Sequence, residues 1–253
     1  MPWNPDQYHK FQAQRSAPFD DLLKLVEVRP HLKVVDLGCG TGELTRRLAD
    51  ILPESDVLGL DLSPQMLAKA DSVKRAGLTF ELGDQANLSG QWDLIFSNAA
   101  LQWSENHPRL IGHLYDRLAA GGQIVVQVPS NHTHISHRLI SETAREEPFI
   151  SILDYYLRQT PVLSIEEYSR LLFELGGEEI IAFEKVYPHV LENADAVLEW
   201  VSGTALVPYF ERLGTGKDLF VKNIRAKFRA AMPGNPVFYP FKRTLFSAHK
   251  PRP

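Results

Sequence analysis

Apolar and polar positions follow two rhythms along this chain, and the switches between them mark its elements. Leu22, Leu23 and Val26 recur at helical spacing within residues 18–28 and predict an amphipathic helix. The compact apolar run Lys33–Leu37 predicts a strand. It ends on the cluster Gly38-Cys39-Gly40-Thr41-Gly42, after which helical spacing resumes with Leu44, Leu48, Ile51 and Leu52. Val57–Leu60 predicts a second strand closed by Asp61. Ser63-Pro64 opens the next helix, with serine as N-cap and proline at the first helical position.

The alternation continues with strands at Leu78–Leu82, Trp92–Ser97 and Gln123–Val128 and a helix from about Pro108 to Leu118. Five strands joined through helices predict an α/β fold with a parallel sheet and helices on both faces. After Pro129 the rhythm changes. Residues 135–177 read as helical, the last piece (164–176) framed by a Ser164/Glu167 capping box and Gly176-Gly177. Glu178–Val190 alternates like a strand, 194–231 reads as helical, and Val237–Ala248 as a final strand, too far from the previous one for a tight hairpin. No internal repeat or low-complexity tract appears.

Composition changes this picture little. With 44% apolar and 23% charged residues, the 253-residue chain is ordinary globular protein. One cysteine, Cys39, excludes an internal disulfide and suits a reducing cytoplasm; no signal-like or membrane-length apolar run is present. Charge adds more. Residues 217–253 hold nine lysines and arginines against one acid, Asp218, a net +8, which leaves −12 on the other 216 residues. Such a segment invites an anionic partner, or is simply a solvated helix face.

The glycine turn carries the chemistry. A strand feeding a glycine-rich turn and a helix exposes backbone N–H groups and lets a ligand approach the main chain. Asp61 lies 21 positions after Gly40 at the end of the second strand, where a ribose hydroxyl pair belongs, and Asp84 closes the third strand. Asp36, Asp61 and Asp84 therefore end three strands at the sheet edge where ligands bind in such folds. Aspartates also cap helices after strands; three in register with a glycine loop favour a binding site. The loop is not a dinucleotide fingerprint, because Glu43 stands where a third small residue belongs and would repel a pyrophosphate. A GxxxxGK[ST] sequence is absent as well, so the ligand expected carries adenine and ribose without phosphates.

VVDLGCGTG, GLDLS, ELGDQANL and LAAGGQIVV resemble the successive motifs of class I S-adenosylmethionine-dependent methyltransferases over roughly residues 30–130. The resemblance implies a Rossmann-like, mostly parallel seven-stranded sheet with a helical lid. It places Asp36, Gly38 and Gly40 by the methionine part of S-adenosylmethionine and Asp61, with Leu62 beside it, at the ribose. Asp84 goes to the adenine amino group, the Gln85 backbone N–H to the ring, and Asn98, within Ser97-Asn98-Ala99, to the sulfonium side. A cationic sulfonium and ammonium suit an acidic pocket. The resemblance implies one domain, with a core at 30–130 and lid elements at 1–29, 130–177 and 194–232.

The acceptor is addressed by absences first. The fourth strand is followed by Ser97-Asn98-Ala99-Ala100-Leu101-Gln102-Trp103 rather than the Asn/Asp-Pro-Pro-Tyr/Phe of many adenine N-methyltransferases, and Cys39 within the loop reads as a filler, not a nucleophile. Trp3-Asn4-Pro5 with Tyr8, Phe11 and Arg15, FSNAALQW, Gln127-Val128-Pro129 with Asn131 and His137, and Glu199-Trp200-Val201-Ser202-Gly203-Thr204 resemble the trans-aconitate 2-methyltransferase family over most of the chain. That family esterifies a small tricarboxylate. The chain departs from its pattern at Val207, where an arginine is expected. By this resemblance Arg15 holds the cofactor carboxylate. Tyr8, Trp103, His137, Trp200 and Arg243 are the expected acceptor contacts, Arg243 first, because a buried polycarboxylate needs cationic or N–H partners. HTHISH resembles a metal cluster only in composition, and no metal is expected. No catalytic base is expected, since an ionised carboxylate needs none, and no nucleic-acid or membrane partner; a nucleic-acid methyltransferase using the +8 segment is the alternative.

Overall fold

The computed structural model describes residues 12–252, with side chains from Ala17 onward. Seven strands form one mixed sheet: β1 (Lys33–Leu37), β2 (Asp56–Asp61), β3 (Leu78–Leu82), β4 (Trp92–Asn98), β5 (Leu118–Pro129), β6 (Glu178–Leu191) and β7 (Val237–His249). Their order is β3-β2-β1-β4-β5-β7-β6. The pairs from β3 to β5 are parallel, and β7 runs antiparallel to β5. β7 is thus an interior strand, between β5 and β6.

Ten helices accompany the sheet among the described residues: α1 (Gln12–Leu23), α2 (Glu43–Ile51), α3 (Pro64–Ala70), α4 (His107–Asp116), α5 (Ile135–Ala144), α6 (Phe149–Ile152), α7 (Ile165–Glu174), α8 (Ala194–Ser202), α9 (Val207–Leu213) and α10 (Lys217–Ala231). Ser63 caps α3 through the Met66 N–H, as its sequence predicts. The Ser164/Glu167 capping box of α7 is also present. Elsewhere the boundaries shift. The first helix ends at Leu23 instead of Val28, because Leu25 and Val26 bond back only three residues, to the Leu22 and Leu23 carbonyls, yet Val26 is still buried. The stretch 135–177 is three helices with an irregular segment before Ser164, where Pro161 cannot donate to a helix.

The chain forms two compact units. The first holds the described residues up to Pro129, then 161–185 and those from Arg243 on; the second holds 130–160 and 186–242. Within the first, apolar residues cover both sheet faces. Val35, Ile95, Ile124 and Phe246 pack with Tyr168 and Leu172 of α7 on one face. Val34, Phe96, Val125 and Leu245 pack with Phe19 and Leu22 of α1 on the other, the Phe19 and Phe96 rings meeting edge-on at 5.7 Å. α1 and residues 161–177 belong to the first unit, whose core they help to fill.

The second unit is helical around α5, α8 and α10. Phe220, Ile224 and Phe228 recur every fourth residue on α10 and are fully buried, with Phe149 against Phe220 at 5.0 Å.

Gly38 follows β1 with φ +73°, and a Cβ there would run into the Ala100 side chain. Gly38→Ala should therefore destabilise the protein by more than the ~1–2 kcal/mol of a left-handed backbone alone. Chemical denaturation checks this, and a variant as stable as the parent would show that the turn relaxes freely.

Candidate functional site

The carboxyl ends of β1, β2 and β4 frame a cleft in the first unit, lined by Gly38, Gly40, Asp61, Leu62, Met66, Gly83, Gln85, Asn98, Ala99 and Trp103 among others. Its cavity volume is about 180 Å³, and it opens to solvent. Gly40 has φ +57°, and a Cβ added there would meet only open space. Its N–H donates to Asp61 Oδ2 at 2.9 Å, and the Ser63 N–H donates to Asp61 Oδ1 at 2.8 Å. Both carboxylate oxygens are oriented by main chain, leaving their remaining lone pairs for a ligand hydroxyl pair. The Gln85 side chain is anchored to Ser104 Oγ at 2.6 Å, and Leu62 is exposed along the cleft wall.

The other two acids occupy different places from Asp61. Asp84 caps the short helical turn after β3 by accepting from the Ala86 N–H at 2.9 Å, and it is outside the set of cleft-lining residues. Asp36 lies beneath the cleft, buried, with Thr45 Oγ1 donating to its Oδ2 at 2.6 Å. Burial raises its pKa to about 7; the Thr45 hydrogen bond opposes the shift and nearby Asp61 adds to it. Asp36 is thus a buried acid outside the cleft lining. Burial also pushes the Cys39 thiol far up, with Asp36 and Asp61 adding to the effect, which fits an inert filler.

Across the cleft the polarity reverses. Asn98 pairs in register with Gln127 on β5, and Pro129 with Arg243 on β7. Register partners share a sheet face, as do residues two apart on a strand, so Asn98, Gln127 and Arg243 point the same way. Arg243 is only 5% exposed, and its Nη1 donates to Gln127 Oε1 at 3.1 Å. Burying a guanidinium is costly without partners, and Gln127 supplies one. Ala99, beyond Asn98, has φ +56°, and its N–H donates to the Gln127 carbonyl at 2.9 Å. Two buried amide atoms here, Asn98 Oδ1 and Gln127 Nε2, lack a hydrogen-bond partner, an omission costing ~1–3 kcal/mol each.

The remaining expected acceptor residues lie elsewhere. Trp103 lines the cleft, beside the cofactor residues. Tyr8 lies outside the described residues; Arg15 falls within α1, outside the described side chains. His137 and Trp200 belong to the second unit. Trp200 is buried against His189, Phe241 and Tyr239 at 4.9, 5.6 and 6.1 Å. Burial lowers the His137 pKa to about 3, helped by His134, Arg158 and His132, so this histidine is neutral and cannot bind an anion as a cation. Its Nε2 is buried without a hydrogen-bond partner.

Sequence reasoning missed Arg158. Its Nη1 lies 3.5 and 3.4 Å from the Thr204 and Ala205 carbonyls in the turn before α9, and its backbone N–H donates to Tyr209 Oη at 3.2 Å. The basic helix α10 is partly compensated: Arg225 and Arg229 pair with Asp195, and Lys227 with Glu146 at 2.7 Å. His134, in the histidine-rich stretch, caps α5 through the Ser136 N–H and stands edge-on to Tyr239. Among the described residues no three His, Cys, Asp or Glu side chains gather as a metal site, and no helix is long and apolar enough to cross a membrane.

With this geometry in place, comparison with known proteins is informative. A methyltransferase domain family matches residues 29–172. Trans-aconitate 2-methyltransferase of Deinococcus radiodurans is 50% identical, covering 99% of both chains; that of Methylobacterium nodulans is 37% identical, again covering 99% of both. The fold is shared with the YcgJ protein from Bacillus subtilis (TM-score 0.62, 15% identity, 94% of this chain and 100% of that one). It is also shared with Haemonchus contortus phosphoethanolamine N-methyltransferase 2 in complex with S-adenosyl-L-methionine (TM-score 0.56, 19% identity, 94% of this chain and 53% of that one).

Asp36 makes stability depend on pH. Its folded pKa, about 7, exceeds the ordinary 3.8, so its contribution is fully present below pH ~4 and is lost as pH rises through 7. Asp36→Asn, which keeps an acceptor for Thr45, should gain stability over the parent progressively from pH 4 to 8, reaching a few kcal/mol. Thermal unfolding of both across that range checks it; a pH-independent difference would contradict the buried charge.

Proposed function

We propose, from the premise that the chain belongs to the trans-aconitate 2-methyltransferase family, that it transfers the methyl group of S-adenosylmethionine to one carboxylate of a small polycarboxylic acid, trans-aconitate foremost, giving a monomethyl ester. The observation that carries this reading is the buried Arg243 on the same sheet face as cleft-lining Asn98. A guanidinium there serves an anionic acceptor, and a neutral one would not need it.

The residues fit the cofactor. Asp61, with both oxygens fixed by Gly40 and Ser63, takes the ribose hydroxyls. The open space over Gly40 receives the methionine part and Leu62 and Gln85 border the adenine, while Asp84, just after β3 and outside the cleft lining, is the acid proposed for its amino group. Arg15 takes the cofactor carboxylate, and Asp36 offsets the cofactor's cations from below the floor. When bound, S-adenosylmethionine supplies a methyl group already activated on a sulfonium.

The acceptor carboxylate is itself the nucleophile, so the protein needs no general base. Its task is to align an oxygen with the methyl group and exclude water. Arg243 holds a carboxylate that does not react, because a guanidinium on the reacting oxygen would lower its nucleophilicity. The same requirement supports a small acid over a nucleic acid as acceptor. The ion pairs of α10 with Asp195 and Glu146 also take cations from the phosphate-following surface a nucleic acid would use. The lone, buried Cys39 suits action in the cytoplasm.

Two outcomes are expected. Purified protein offered trans-aconitate, cis-aconitate, citrate and isocitrate should form ester, detected by mass spectrometry, fastest with trans-aconitate. Arg243→Met should raise KM for the acid ~10-fold or more. Turnover of a phenol, amine or nucleic acid with no ester from any acid would refute the carboxylate assignment.

With S-adenosylmethionine saturating, so that titration of Asp36 affects only its binding, the rate should also be flat from pH ~6 to 9, because the acceptor is already ionised and His137, with a pKa of about 3, has no proton to lose in that window. His137→Gln should leave that profile unchanged. Activity falling through one ionisation that the variant removes would show that the histidine binds substrate in its charged form.

A further inference from the structure

Gln127 is fully buried on β5, between cleft-lining Asn98 on β4 and Arg243 on β7. Its carbonyl takes the Ala99 N–H, and its side-chain oxygen takes the Arg243 guanidinium. Arginine has only donors, so the amide oxygen must face it, and this fixes where the amide nitrogen points. That nitrogen, Nε2, is buried and has no hydrogen-bond acceptor. Asn98 Oδ1, on its register partner, does not take it and is itself without a partner. A buried amide with an unused donor, fixed beside a guanidinium on one sheet face, has the chemistry of an anion site.

We infer that Gln127 is the second arm of the acceptor site: its Nε2 and the Arg243 guanidinium together hold the carboxylate that does not react, and so select acids carrying at least two carboxylates. This rests on the functional reading above. The division of labour follows from chemistry. Arg243 supplies charge, whereas the amide supplies a directional N–H without adding a second cation, and its oxygen keeps the guanidinium in place. The Ala99 bond ties the same residue to the backbone turn that lines the cleft, so the acceptor and the cleft wall share one support.

The test uses the full chain and two variants. Gln127→Met removes the amide at similar volume; Gln127→Glu sets a carboxylate against Arg243, occupying the guanidinium from within. Three quantities are measured: kcat and KM for trans-aconitate, calorimetric affinity for S-adenosylhomocysteine, and calorimetric affinity of the acid for protein loaded with S-adenosylhomocysteine. Expected is an acid KM raised ~10-fold in Gln127→Met and ~100-fold in Gln127→Glu, with S-adenosylhomocysteine affinity within about twofold of the parent. Arg243→Met combined with Gln127→Met should raise the acid KM by less than the product of the two single effects, since both side chains act on one carboxylate. A Gln127→Glu protein with parental KM, or variants that lose S-adenosylhomocysteine affinity equally, would overturn the inference. The functional reading fails separately. If the parent esterifies no acid but binds polycarboxylates, and Gln127→Glu does not bind them, the site stands and the reaction falls; if the parent binds none, both fall.

Discussion

The cleft depends on one carboxylate. Asp61, the last residue of β2, accepts the Gly40 N–H on one oxygen and the Ser63 N–H on the other, tying the glycine turn after β1 to the start of α3. Two charge-assisted hydrogen bonds hold a left-handed turn open where a side chain would close it. The turn in turn sets Gly38 against Ala100, just beyond Asn98 and β4. Floor, wall and ribose site are therefore one hydrogen-bonded construction, and the same carboxylate that organises the empty turn is presented to the ligand.

Strand order separates the acids from the buried guanidinium within the sheet, with Asp61 alone of these groups lining the cleft. In β3-β2-β1-β4-β5-β7-β6, the acids Asp84, Asp61 and Asp36 fall on the β3-β2-β1 side and Gln127 with Arg243 on the β5-β7 side. One side suits a cation and the other an anion. In the proposed transfer the two charges cancel as the ester forms, so a site with low dielectric does not oppose the reaction as it would oppose charge separation. Asp36 shows the cost of this arrangement: a buried acid with its pKa near 7 is strained until a cation lies above it.

The second unit is built differently. Its polar atoms are drawn into packing and caps: Tyr239 Oη lies 3.4 Å from both Asn131 Nδ2 and Ser136 Oγ, and the Lys242 N–H bonds Asn131 Oδ1 at 3.1 Å. Trp200, His189 and Phe241 form an aromatic group around the same tyrosine. Arg158 donates to the Thr204 and Ala205 carbonyls in the turn before α9.

What local sequence determined was whatever depends on neighbours along the chain. β1 and β3 keep the predicted limits, Ser63 and Ser164 cap the predicted helices, and the glycine turn with Asp61 marks the ligand side, because strand period, capping and glycine geometry act within a few residues. Distant contacts decided the rest. Asp36 reads like Asp61 in sequence, but only packing puts it under the cleft with a raised pKa. His137 looks like a cation until burial neutralises it, and only packing encloses Trp200 in three rings. Arg243 and Gln127 are 116 residues apart, and only an antiparallel β7 beside β5 brings guanidinium to amide. Burial and register are properties of the whole sheet, and no local pattern carries them.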